Sequence, residues 1–145
     1  MVCLKMTTTG MPTMRSSRAD VPLSLKILYA YTIAGSGVFG LWMLLAPASF
    51  SAAFLLPAQD PFTFGAFGAV LVGFGFSAAV GLRAPLVFAP IFVVQLAYKT
   101  VWLALVFLPH LVRGPIPAYA WLIAAVFVSY VVLDLIAIPF SRLRA

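Results

Sequence analysis

Two side chains in this sequence sit where charge is expensive and where it can do chemistry. Lys99 lies inside the apolar run 91–108, and Asp134 lies inside the apolar run 118–139. Each run is long enough to cross a bilayer, which takes roughly 20 apolar residues. A charge near the bilayer centre costs at least ~2.5–3.5 kcal/mol on insertion scales. Each therefore needs a partner, a wet cavity or a task. A Lys and an Asp at such depth suit three tasks: an ion pair between helices, a proton or ion relay, or the floor of a ligand pocket.

Helical spacing adds neighbours to both residues. Gln95 precedes Lys99 by four residues and Tyr130 precedes Asp134 by four, so each pair shares a helix face. Tyr98 and Trp102 flank Lys99. Gln95, Lys99, Tyr130 and Asp134 thus form one candidate intramembrane polar cluster, which Thr32 and Ser36 can join from another helix. Helical side chains lean toward their own N-terminus, which inclines Lys99 and Asp134 toward each other. They are expected to face the bundle interior and neutralise each other, directly or through Gln95, Tyr130 or water. The plain alternative is that the cluster only glues helices together, as interhelical polar contacts do at ~0.6–2 kcal/mol each.

Other chemistry finds little support. The acids are Asp20, Asp60 and Asp134 alone, His110 is the single histidine, and Cys3 is the single cysteine. No disulfide can form within the chain, and no metal site can be assembled from one His. No nucleophile elbow, zinc-protease, P-loop or dinucleotide signature occurs. The sequence leans away from an enzyme and implies no particular cofactor.

The elements that position the cluster are apolar helices. The chain has 145 residues, 64% hydrophobic and only 8% charged, against about 25% charged for soluble domains. The net charge of +6 belongs to the ends of the apolar runs and not to a basic groove with stacking aromatics, so nucleic acid is not a partner. Residues 1–20 are expected to be a disordered tail with Met6, Met11 and Met14 as alternative starts, and they lack a signal-peptide pattern. Residues 21–145 form the membrane domain, with spans expected at about 23–46, 62–82, 86–108 and 118–140. Asp60 followed by Pro61 opens the second span as N-cap and first helical residue. Between the first two spans, Phe50 and Phe54 stand one turn apart and suit a short interfacial helix. Trp42, Trp121, Tyr119 and Tyr29 suit an aromatic belt.

Gly65, Ala69, Gly73, Ser77 and Gly81 recur every four residues in the second span. This ladder is expected to be a helix-packing face, because small residues let backbones approach closely. Orientation follows from the basic residues. With the N-terminus inside, Lys5, Arg15, Arg18, Lys26, Arg83, Arg142 and Arg144 are cytoplasmic and Arg113 is outside. The fold class is therefore all-α: a polytopic, antiparallel bundle of four transmembrane helices with both termini cytoplasmic.

The segments IAGSGVFG (33–40), LLAP (44–47), GLRAP (81–85) and QLAYKTVWL (95–103) give the chain a layout that resembles small bacterial four-helix membrane proteins of the DoxX-like kind, over residues 25–140. That resemblance implies the bacterial inner membrane. Some relatives of that kind are subunits of quinone-linked oxidoreductases, but no residue here is carried over as a quinone site. Two functions from different classes follow. One is an accessory or binding subunit that holds a lipophilic molecule or docks to a larger membrane complex. The other is a small proton- or ion-coupled transporter using Lys99 and Asp134, as a homo-oligomer.

Overall fold

The computed structural model describes residues 21–138. The expected tail 1–20, Cys3, and residues 139–145 with Pro139, Arg142 and Arg144 lie outside the described residues. Among the described residues the chain is all-helical. Four helices are long and apolar enough to cross a membrane: α1 (Leu23–Leu45), α3 (Pro61–Gly81), α4 (Pro85–Arg113) and α5 (Ala118–Ala137). A short helix, α2 (Pro47–Ala53), follows α1. Large apolar side chains such as Leu45, Phe62, Val112 and Ile136 are largely exposed. An apolar exterior of this kind is compatible with a multi-pass membrane protein, whose outer surface meets hydrocarbon and not water.

Local chemistry explains most boundaries. The Asp60 carboxylate accepts the Thr63 N–H at 2.7 Å, with Pro61 at the first helical position. That hydrogen bond holds the Asp60 carboxyl below the usual carboxylate range. The helix α2 ends with the Leu56 N–H on the Ser51 carbonyl and the Leu55 N–H on the Ala52 carbonyl. This closing motif needs a left-handed residue, usually glycine. Leu55 fills the place at φ 55°, a conformation costly for a branched side chain.

The third span runs five residues past its expected end at 108. A proline inside a helix leaves one carbonyl without its donor, which is why Pro109 reads as a stop. The structure accommodates it with a π-helical stretch at Leu103–Phe107 just upstream, a form that loosens the hydrogen-bond ladder. His110, expected beyond the helix, lies inside it, and its Nδ1 donates to the Val106 carbonyl at 2.7 Å.

The central element is α1, which packs extensively along α3 and also touches α5, while α4 packs on α5. Glycines set the α1–α3 distance. A Cβ at Gly40 would lie 2.7 Å from the Gly68 carbonyl oxygen, and one at Gly75 would collide with the Gly37 backbone. The expected face is corrected here: Ala69 and Gly73 are exposed, Gly65 and Ser77 are half-buried, and only Gly81 is buried, against the Tyr29 ring. A four-residue step advances ~400° around a helix, so a ladder of such steps drifts ~40° each time and leaves its starting face. Gly68 and Gly75, seven apart, drift only ~20° and stay together. Tyr29 is also corrected: it is fully buried in the core with Leu25, Leu28 and Phe92, its hydroxyl donating to the Pro85 carbonyl at 2.7 Å.

Gly75→Leu should lower the thermal unfolding midpoint sharply in detergent, because the side chain meets the Gly37 backbone. Gly73→Leu, at a position where an added Cβ meets nothing within 4 Å, should leave it nearly unchanged. Equal losses in the two variants would show that the Gly68/Gly75 seam is not the close contact.

Candidate functional site

The residues of the expected polar cluster are buried, namely Thr32, Ser36, Gln95, Lys99, Tyr130 and Asp134, while Tyr98 and Trp102 beside Lys99 are half-buried. Lys99 is 1% exposed and Asp134 is 0% exposed. Three helices bring them together. Gln95 and Lys99 come from α4, Tyr130 and Asp134 from α5, and Thr32 and Ser36 from α1. The Gln95 amide donates to Thr32 Oγ1 at 3.4 Å. The Tyr130 hydroxyl donates to the Tyr31 carbonyl at 3.2 Å and lies 3.4 Å from Ser36 Oγ. Its proton is thus committed to α1, and it takes the Ser36 hydrogen as acceptor.

The π-helical stretch Ile33–Val38 of α1 makes room for this contact. It carries Gly35-Ser36-Gly37, whose glycines leave room for close neighbours. A Cβ at Gly35 would collide with the Tyr130 hydroxyl. One residue of the stretch therefore admits the Tyr130 ring, the next bonds it, and the third approaches α3.

Lys99 and Asp134 form no ion pair within 4 Å, and among the described residues neither Lys99 Nζ nor either Asp134 oxygen has a hydrogen-bond partner. Lys99 Nζ sits instead 3.4 Å from the centre of the Tyr130 ring, with Tyr98 at 5.1 Å and Phe127 at 5.9 Å. The reason is register along α5. Asp134 is one turn beyond Tyr130, so Tyr130 is the residue that meets the ammonium. The negative face of an aromatic ring attracts a cation, by ~2 kcal/mol or more when desolvated.

Lys99 is also among the residues lining a cavity of about 410 Å³, within the range of small-molecule sites. All four long helices and α2 line it. Its walls are aromatic, including Phe39, Phe50, Phe54, Phe64, Phe67 and Phe127. It passes Trp102 and reaches Gln59 in the loop before α3 and Tyr119 at the start of α5. Phe50 and Phe54 stack at 4.6 Å between ring centres, 28° from parallel, with Trp42 and Phe39 edge-on to both. The cavity exists because α3 and α4 part after the turn at 82–84, their rings meeting at Phe74 and Tyr98, 5.5 Å apart. Of the expected cluster, Lys99 and Tyr130 line it, and Ser36 joins them; Gln95 and Asp134 do not.

Sequence reasoning missed Gly35 and Phe127 as parts of the site, and the Tyr31–Ser129 hydroxyl contact at 2.7 Å that pins α1 to α5. The GSG run at 35–37 was the available signal for an irregular turn. No signal marks Phe127 among so many aromatics. Compared with known proteins, this chain matches no family model, no curated protein and no solved structure.

Tyr130→Phe keeps the ring face and loses the hydroxyl contacts, so it should cost ~1 kcal/mol. Tyr130→Leu also removes the face from Lys99 and should cost more, by a further ~2 kcal/mol. Adding Lys99→Met to Tyr130→Leu should restore part of that loss, because no ammonium is then stranded. Thermal unfolding of these three variants against the parent protein measures this. Equal costs for Phe and Leu, with no recovery, would show that the ring face does not hold the lysine.

Proposed function

We propose that this chain is a small multi-pass membrane protein that holds a lipophilic molecule between its helices, as a binding or accessory subunit. The observation that carries the reading is the aromatic cavity, with the buried residues Lys99 and Tyr130 in its lining. Apolar pockets with a few convergent polar groups are the usual form of small-molecule sites. The exposed apolar exterior brings such a molecule to the protein from the bilayer itself.

The bundle is antiparallel in this reading, with both termini cytoplasmic in the bacterial inner membrane. The Lys and Arg bias supports that orientation. So does the layout shared with the DoxX-like kind. The cavity mouth at Gln59 and Tyr119 then lies on the outer side, with Arg113.

A second reading is favoured by one specific feature, the two buried ionisable groups, Lys99 and Asp134, without hydrogen-bond partners among the described residues. Lys99 and Asp134 then carry protons or ions as part of an oligomer. Proton flux into dye-loaded vesicles separates the two. Flux that is lost in the Lys99→Met, Asp134→Leu double variant supports the transporter; no flux above empty vesicles removes it.

The binding reading is tested by extraction. The full chain, purified in mild detergent, should retain a lipophile at near one per chain, detected by mass spectrometry of the organic extract. Ile123 lines the cavity, so Ile123→Trp should fill it and lower the retained amount at least several-fold. Equal retention by a folded Ile123→Trp protein, or none by either, would remove the reading.

A further inference from the structure

We infer that the lipophile is a phospholipid, bound with its phosphate on Arg113 beside the cavity mouth and one acyl chain inside the cavity. The inference rests on the cavity being a lipophile site. The inner end of the cavity offers no free polar group to a head. Lys99 Nζ and the Tyr98 hydroxyl are sealed from its space, and the Tyr130 and Ser36 hydroxyls are engaged with each other. An apolar tail is what that end can take. At the other end Gln59 is exposed and Tyr119 is half-buried. The occupant therefore lies with its polar head at the mouth.

Depth selects the tail. The cavity lining runs along α5 from Tyr119 to Tyr130, eleven residues or ~16 Å at 1.5 Å each. Half of a ~30 Å hydrocarbon core is ~15 Å, the depth that the acyl chains of one leaflet fill. A mouth near the membrane surface and a floor near the midplane thus match one acyl chain whose head keeps its place at the interface. Moving that chain from bilayer to cavity gains little hydrophobic energy, because both surroundings are apolar. Selection has to come from the head.

A second cavity, of about 350 Å³, lies between the end of α4 and the start of α5. Trp102 and Tyr119 line both cavities, so the two spaces adjoin at that pair. Arg113 and His110 line the second one, and both are exposed. Arg113 stays charged and presents five N–H donors in a planar fork, which suits the oxygens of a phosphate. The acids among the described residues are Asp60 and Asp134, and neither lines this cavity. Asp60 caps α3 through the Thr63 N–H, and Asp134 is buried. A phosphodiester supplies the negative charge at the depth where lipid heads lie. One chain then passes Trp102 and Tyr119 into the first cavity. The other stays in the bilayer, against exposed side chains such as Leu111 and Val112.

Trp102 stands where the two cavities adjoin and reports on a chain that passes it. The chain has three tryptophans, so Trp42→Phe and Trp121→Phe leave it as the single emitter. The full-length protein, in a neutral maltoside detergent, is titrated with phosphatidylglycerol and with diacylglycerol carrying the same dibrominated chains. Bromine quenches only on close approach. Phosphatidylglycerol should quench saturably and bind about tenfold more tightly than diacylglycerol, as one charged hydrogen bond implies. Arg113→Gln, at an exposed position, should close that gap and leave diacylglycerol unchanged. Ile123 and Val126 line the first cavity, so Ile123→Phe should narrow it and weaken both lipids several-fold; Val126→Phe serves if Ile123→Phe does not fold. Equal saturable binding of the two lipids overturns the phosphate head and leaves the lipophile reading standing. A preference for phosphatidylglycerol that survives Arg113→Gln overturns the seat at Arg113. Saturable binding that is unchanged by the narrowed cavity overturns the place of the chain. Quenching that saturates with neither lipid overturns the whole inference, while the organic extract of the purified protein decides the lipophile reading separately.

Discussion

The arrangement turns on the accommodation of one ammonium at the middle of an apolar helix. Lys99 cannot reach water by snorkelling, because both ends of α4 are ~21 Å away along the axis. Its stabilisation has to come from inside the protein, and the Tyr130 face at 3.4 Å supplies it. That single placement reaches into every neighbour. The ring is fixed by its hydroxyl on α1, which requires Gly35 to have no side chain. Gly35 in turn lies in a π-helical stretch, whose other glycine, Gly37, meets Gly75 of α3. A lysine on one helix thus constrains residues on three others.

The glycine seam and the cavity are two consequences of the same geometry. Where small residues face each other, α1 and α3 close to backbone contact. Membrane helices need such contact, because hydrocarbon gives no hydrophobic drive for them to associate. Where α3 and α4 part, bulky rings stand between them and do not fill the space, leaving the cavity beside Lys99. The short helix α2 closes one wall with Phe50, which is buried although its helix has only seven residues. A plain loop there would leave backbone groups facing an apolar cavity, which is costly.

Much of this was legible in the sequence, and the failures have physical causes. Span positions follow from apolar length and from Asp60-Pro61, signals that need no knowledge of neighbours. The polar cluster was legible because burying Lys99, Gln95, Tyr130 and Asp134 is expensive enough to force them inward. The packing face was misread. A four-residue ladder looks straight on paper yet winds around the helix, while Gly68 and Gly75 look isolated. Tyr29 was assigned to the interface from its place near a helix end, but its hydroxyl finds a carbonyl at the turn before α4 and the ring is drawn into the core. The continuation of α4 past Pro109 depends on the π-helical stretch at Leu103–Phe107, and no residue in that stretch announces it. The cavity itself was not legible, since it is the space left by a divergence of two helices.

The absence of an ion pair at Lys99 matters for what the site can do. Had Asp134 been one turn earlier on α5, it would meet the ammonium directly and occupy its N–H groups. A ring face attracts the charge without accepting those hydrogens one by one. The lysine is thereby held in place with its ammonium sealed among rings. Tyr98 behaves alike: its ring packs on Phe74 and Phe127 at 5.5 and 5.9 Å, and its hydroxyl has no hydrogen-bond partner among the described residues. Buried polar groups without partners destabilise a fold, so these two donors mark a place where stability is given up.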